Sequence, residues 1–117
     1  MSSPMPIRQE IRPAVLNDII SRIVEVAGPE QIILFGSGAR GTMGGDSDLD
    51  LLVVKRGRYN PRKVTSSIYL RMRGIMQAMD IVLVTPAQVA KYRNCPWSVI
   101  YPALQDGMVI YDRDTVT

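Results

Sequence analysis

Two apolar runs joined through a glycine turn, the second one headed by aspartates, constrain the fold of this chain more than any other feature. Ile32-Ile33-Leu34-Phe35 leads into Gly36-Ser37, and Asp48-Leu49-Asp50 leads into Leu51-Leu52-Val53-Val54. A continuous apolar run of this length, bounded by turn residues, reads as a strand covered on both faces. An unpaired charge at Asp50 would be costly in such a strand. Side chains alternate along a strand, so Asp48 and Asp50 point the same way with Cα atoms roughly 6.5 Å apart. Two carboxylates placed like that make a site for a hard cation.

The remaining pattern alternates helix and strand. Val15, Leu16, Ile19, Ile20, Ile23, Val24 and Ala27 recur at three- and four-residue spacing until Gly28-Pro29, which predicts an amphipathic helix over 13–27. Asn60-Pro61 pairs an N-cap with proline at the first helical position and opens a helix expected to reach about Met79. Asp80 to Val84 reads as a third strand. Thr85-Pro86-Ala87-Gln88 has capping-box spacing for a short helix near Lys91. Trp97 to Asp106 reads as a last helix, bent by Pro102 or confined by it to two short turns, and Met108 to Tyr111 as an edge strand. The expected class is α/β (α+β), a small mixed sheet flanked by helices, in one domain over residues 1–117 with Met1 to Pro6 loose.

The glycine-rich turn admits three readings. Gly36, Gly38 and Gly41 satisfy G-x-G-x-x-G, but the acidic ribose ligand expected about 20 residues later is replaced by Lys55, Arg56 and Arg58. A P-loop needs lysine after its last glycine, where this chain has Thr42. The third reading joins the turn to the aspartates as G-S-x10-D-x-D. Gly36 lets the chain turn sharply, and Ser37 then stands where a short helix begins with unpaired amides, a place that attracts phosphate. Arg40 can reach the same anion with its planar fork. Taken alone, Ser37 also reads as a helix cap and Arg40 as a surface ion-pair residue, and Asp46 is left in the loop. Phosphate at one end and a cation at the other describe a nucleoside triphosphate.

Composition narrows the chemistry. With no histidine in 117 residues, His-based triads, His metal sites and His general bases are excluded. Two unit charges about 4 Å apart repel by roughly 4 kcal/mol at an effective dielectric of 20, so converging carboxylates favour a divalent cation. Oxygen ligands beside phosphates favour Mg²⁺, with Mn²⁺ as a substitute. The lone Cys95 cannot form an internal disulfide, and neither a signal peptide nor a membrane-length apolar run is present, so a cytoplasmic location is expected.

Gly36-Ser37 followed by Asp48-x-Asp50 resembles the signature of the DNA polymerase β-type nucleotidyltransferase superfamily, and the short chain resembles its minimal nucleotidyltransferases. Asp80, in Met79-Asp80-Ile81-Val82-Leu83-Val84, matches that family's third carboxylate, and Leu104 to Tyr111 is similar to its closing helix, glycine and short strand. The resemblance spans roughly residues 32–111. It implies two metal ions bound or shared by Asp48 and Asp50, with Asp80 at the ion beside the attacking hydroxyl, where it would also take up the proton. It implies ATP as substrate, with Gly36, Ser37 and adjacent amides holding its phosphates. Many minimal members carry arginine directly after the serine. Gly38 stands there in this chain and leaves Arg40 as the matching basic residue.

The resemblance also implies a partner. Minimal members are often encoded beside an all-helical HEPN protein as toxin–antitoxin pairs, in which the nucleotidyltransferase is the antitoxin and transfers AMP to a tyrosine of the RNase toxin. Two alternatives stand beside this. One is a binding module that neutralises its partner by occlusion; the other is transfer to a small molecule or to RNA. The segment from Lys55 to Arg73 holds seven of the chain's 14 basic residues and no acidic one, a face able to steer triphosphate or nucleic acid, or simply a solvated helix face.

Overall fold

The computed structural model describes residues 13–36 and 49–114. In chain order the elements are α1 (Pro13–Ala27), β1 (Gln31–Phe35), β2 (Leu49–Val54), α2 (Pro61–Arg71), β3 (Met79–Val84), α3 (Pro86–Tyr92), α4 (Ile100–Asp106) and β4 (Met108–Asp112). The four strands form one mixed sheet in the order β3-β2-β1-β4. β1 runs antiparallel to both β2 and β4, while β2 and β3 are parallel. Parallel neighbours need a long crossover, and α2 supplies it.

The central strands are covered on both faces, as their apolar runs require. Ile32, Leu51, Leu52 and Val53 are fully buried. On one face Ile19 and Ile23 of α1 and Ile68 of α2 pack with Ile32, Leu34, Leu49, Leu51 and Val53. On the other, Ile100 and Ala103 of α4 pack with Ile33, Phe35, Leu52, Val54 and Val84. Each large aliphatic side chain buried this way contributes about 1.5–3 kcal/mol relative to exposure.

Local signals set most boundaries. The Asn60 carboxamide oxygen accepts from the amides of Arg62 at 3.0 Å and Lys63 at 3.3 Å, and Pro61 fills the first helical position. Thr85 and Gln88 form a complete capping box, with Thr85 Oγ1 accepting at 3.1 Å and Gln88 Oε1 at 2.9 Å. α4 packs closely on β1 through Gly107, where a β-carbon would overlap the Ala103 carbonyl oxygen and lie 2.7 Å from Ile33 Cγ2.

Two expected boundaries are corrected. α2 stops at Arg71 rather than near Met79, because the chain turns through Met72 to Gly74, where Gly74 takes a φ of +91°. The Arg22 guanidinium holds that end, donating through Nη1 to the carbonyls of Arg71 at 2.6 Å and Arg73 at 2.9 Å. The last helix begins at Ile100 rather than Trp97. Pro102 is then its third residue, within the first turn, where a missing N–H leaves no helical bond unmade.

Candidate active site

Three strand ends meet at the site: the close of β1 and the starts of β2 and β3. β1 leads into Gly36, whose φ of +73° is open to glycine and strained for other residues. A β-carbon there would overlap Oδ2 of Asp50 and lie 3.2 Å from its Cγ. The Asp50 carboxylate therefore lies against the turn, in space that only glycine leaves open.

Register supplies the neighbours. Asp50 pairs with Phe35 across the antiparallel ladder and with Asp80 across the parallel one. Directly paired side chains share a face, so Phe35, Asp50 and Asp80 stand in a row, with the two aspartates one strand spacing, about 4.8 Å, apart at Cα. Strand alternation puts this row on the face of Leu52, Val54, Val82 and Val84, away from α1 and α2. Phe35 is buried, Asp50 half-buried and Asp80 exposed, so the row opens to solvent at the β3 edge. Two carboxylates side by side supply the oxygen donors that Mg²⁺ and Mn²⁺ prefer, which fits a divalent cation in donor type.

Of the expected site residues, Gly36, Asp50 and Asp80 are brought together. Ser37, Gly38, Arg40, Asp46 and Asp48 lie outside the described residues. Among the described residues, no group of three or more His, Cys, Asp or Glu side chains gathers as a metal centre.

The basic segment from Lys55 to Arg73 does not form one face toward the aspartates. Lys55 Nζ donates to the Ala27 carbonyl at 2.6 Å, capping α1, and lies over the Tyr59 ring. Arg56 pairs with Glu30 at 3.7 Å, and Arg71 pairs with Glu25 of α1. Lys55 and Arg56 follow β2 at the end remote from Asp50, and α2 lies on the opposite layer. A cleft of about 230 Å³ lined by Gln31, Val54, Arg56, Pro86 and Asp112 also lies at that remote end. Val54 is four residues along β2 from Asp50, roughly 13 Å away, so the cleft is separate from the carboxylates.

One contact at the site carries no signal in the sequence. The Tyr69 hydroxyl of α2 accepts from the Ile81 amide at 2.9 Å and donates to the Met79 carbonyl at 3.4 Å, on either side of Asp80. Ten residues separate Tyr69 from Asp80, and the crossover through α2 brings them together.

A mixed α/β sheet carrying a carboxylate pair beside a glycine turn suits the cation-assisted chemistry of a nucleotidyltransferase. More particularly, residues 17–116 match the family described as "Polymerase beta, Nucleotidyltransferase", and the chain belongs to that family. The crystal structure of a proposed nucleotidyltransferase from Sulfolobus solfataricus superposes with a TM-score of 0.53, covering 90% of this chain and 93% of that one. At 19% identity, this likeness concerns the fold. No curated protein sequence matches the chain. Among the described residues, no helix is long and apolar enough to cross a membrane.

Proposed function

We propose that the chain transfers AMP from ATP to a hydroxyl of a partner protein, in a divalent-cation-dependent reaction at the strand ends. The observation that carries this is the register of Asp50 with Asp80 beside Gly36. When bound, Mg²⁺ would supply charge neutralisation at the phosphates and lower the pKa of the attacking hydroxyl. Asp50 and Asp80, with Asp48 two residues before Asp50, would hold it. Asp80 is open to solvent, where an acceptor hydroxyl can reach it, and takes the hydroxyl proton. The acceptor oxygen forms its bond to the α-phosphorus as the bond to pyrophosphate breaks. Ser37 and Arg40 hold the β- and γ-phosphates.

A protein acceptor is favoured by the apolar side chains left in solvent. Trp97 is 86% and Met76 98% exposed, and Val99, Met108 and Val109 are about half exposed. Tryptophan and methionine are enriched where proteins meet. By the resemblance of the chain to minimal nucleotidyltransferases, the partner is a helical HEPN-type toxin, neutralised by modification in the cytoplasm. The test is incubation with ATP labelled at the α-phosphate, Mg²⁺ and a HEPN-type partner. Label on a partner tyrosine is the expected result. A partner that stays unlabelled yet inhibited, and is still inhibited by the doubly substituted D48N/D50N chain, would replace transfer with occlusion. Label moving instead to RNA or a small molecule would replace the protein acceptor.

A further inference from the structure

We infer that Tyr69 is a positioning residue for Asp80, clamping the edge strand so that the carboxylate keeps its place beside Asp50. This rests on the reading that Asp80 binds the cation. Among the described residues, β3 is the outermost strand on its side of the sheet, with β2 as its one ladder neighbour. Along a strand, the N–H and C=O of one residue point to one side and those of its neighbours to the other. The Ala78 carbonyl accepts from the Leu49 amide at 3.0 Å, so alternation turns the backbone groups of Asp80 toward β2 as well. The Met79 carbonyl and Ile81 amide, which flank Asp80, therefore face outward, where a further strand would bind them.

Tyr69 takes the place of that strand with a single hydroxyl. It receives the Ile81 N–H at 2.9 Å and gives its own proton to the Met79 carbonyl at 3.4 Å. Both bonds span the one residue whose side chain faces Asp50. Edge strands without such cover fray and twist more readily than central ones. Asp50 is fixed on both flanks by strands and below by Gly36, whereas Asp80 has β2 on one flank and Tyr69 on the other. The ring is 42% exposed, so its tie to the sheet runs through the hydroxyl more than through burial.

The test is Tyr69→Phe, which removes the hydroxyl and keeps the ring, compared with Asp80→Asn and with Leu70→Ala as a neighbouring control. Two readouts need no acceptor. One is amide exchange at Ile81 by NMR; the other is Mn²⁺ affinity by calorimetry in the presence of α,β-methylene-ATP. In Tyr69→Phe, Ile81 exchange is expected to accelerate about tenfold, with Mn²⁺ affinity falling about five- to tenfold and the melting temperature changing little. Asp80→Asn is expected to lower the affinity further, and Leu70→Ala to leave both readouts alone. If Asp80→Asn weakens Mn²⁺ binding while Tyr69→Phe binds as the unsubstituted chain does, the positioning role is overturned and the cation-binding role of Asp80 stands. Unchanged affinity in Asp80→Asn would overturn the role assigned to Asp80 and, with it, that of Tyr69.

Discussion

A β-carbon on Gly36 would overlap the Oδ2 atom of Asp50, so the turn residue that follows β1 and the second residue of β2 compete for one volume. That relationship links a backbone preference to the chemistry of the site. At Gly36 two requirements coincide: a φ of +73° and room for a carboxylate.

Gly36→Ala is therefore expected to damage activity more than stability. The positive φ costs alanine about 1–2 kcal/mol. Displacement of Asp50 is expected to lower nucleotidyl transfer by at least about 100-fold, since an error of about 1 Å at a reacting group has that effect. Thermal melting beside a transfer assay with labelled ATP separates the two, and a variant that melts lower but transfers normally would refute the link.

Asp80→Asn is expected to leave the fold intact, because Asp80 is exposed at the strand edge. Its melting midpoint in urea should correspond to a change of about 0.5 kcal/mol or less. Transfer should fall by at least about 100-fold, the scale of losing a positioned proton acceptor. Chelation by EDTA is expected to abolish transfer by the unsubstituted chain, and Mg²⁺ or Mn²⁺ to restore it.

Arg22→Ala tests the tie that ends α2. Its guanidinium caps the carbonyls of Arg71 and Arg73 while pairing with Asp18 at 3.0 Å. Losing two charge-assisted bonds at a partly exposed position is expected to cost about 1–2 kcal/mol in urea unfolding. Asp18→Ala should cost about 0.5 kcal/mol or less, as a surface pair one helical turn apart. Lysine at position 22 should recover little, because one ammonium cannot reproduce the fork.

Asp112 gives an acid-side prediction. The Gln31 side-chain amide donates to it at 3.0 Å and the Asp114 amide at 2.9 Å, and these bonds hold its carboxyl below the ordinary aspartate value. The unfolded chain then binds the proton more readily, so this contribution is present above the unfolded value of roughly 4 and is lost as pH falls through the lower folded value. Gln31→Ala should lower stability at pH 7, and the gap from the unsubstituted chain should close in acid. A gap unchanged from pH 7 to pH 2 would show that Gln31 acts otherwise. Tyr59 works at the other end of the scale: burial raises its pKa, so its contribution is present below roughly 10 and lost as pH rises beyond it.

The chain's own spacing announces much of this fold. The apolar runs at Ile32 and Leu51 call for cover on both faces, and the caps at Asn60 and Thr85 mark helix starts through side-chain oxygens that belong to the local sequence. Helix ends depend on residues farther away in the chain. α2 stops at Arg71 because of a turn at Gly74 and an arginine about fifty residues earlier, and no local pattern conveys the second.

For the site, the order of residues limits the chemistry to the side chains at hand: glycine at a turn, and aspartates at the starts of apolar strands, with no histidine. These are properties of composition and of period-two alternation. Tertiary structure alone decided that Asp80 stands in register with Asp50, because pairing across the sheet depends on the length and path of the α2 crossover. It likewise brought Tyr69 to the edge of β3 and drew Lys55, Arg56 and Arg71 into contacts away from the aspartates. A charge or hydroxyl has a partner only once the chain is folded back on itself, so alternation can name the face of a residue but not its neighbour on the next strand.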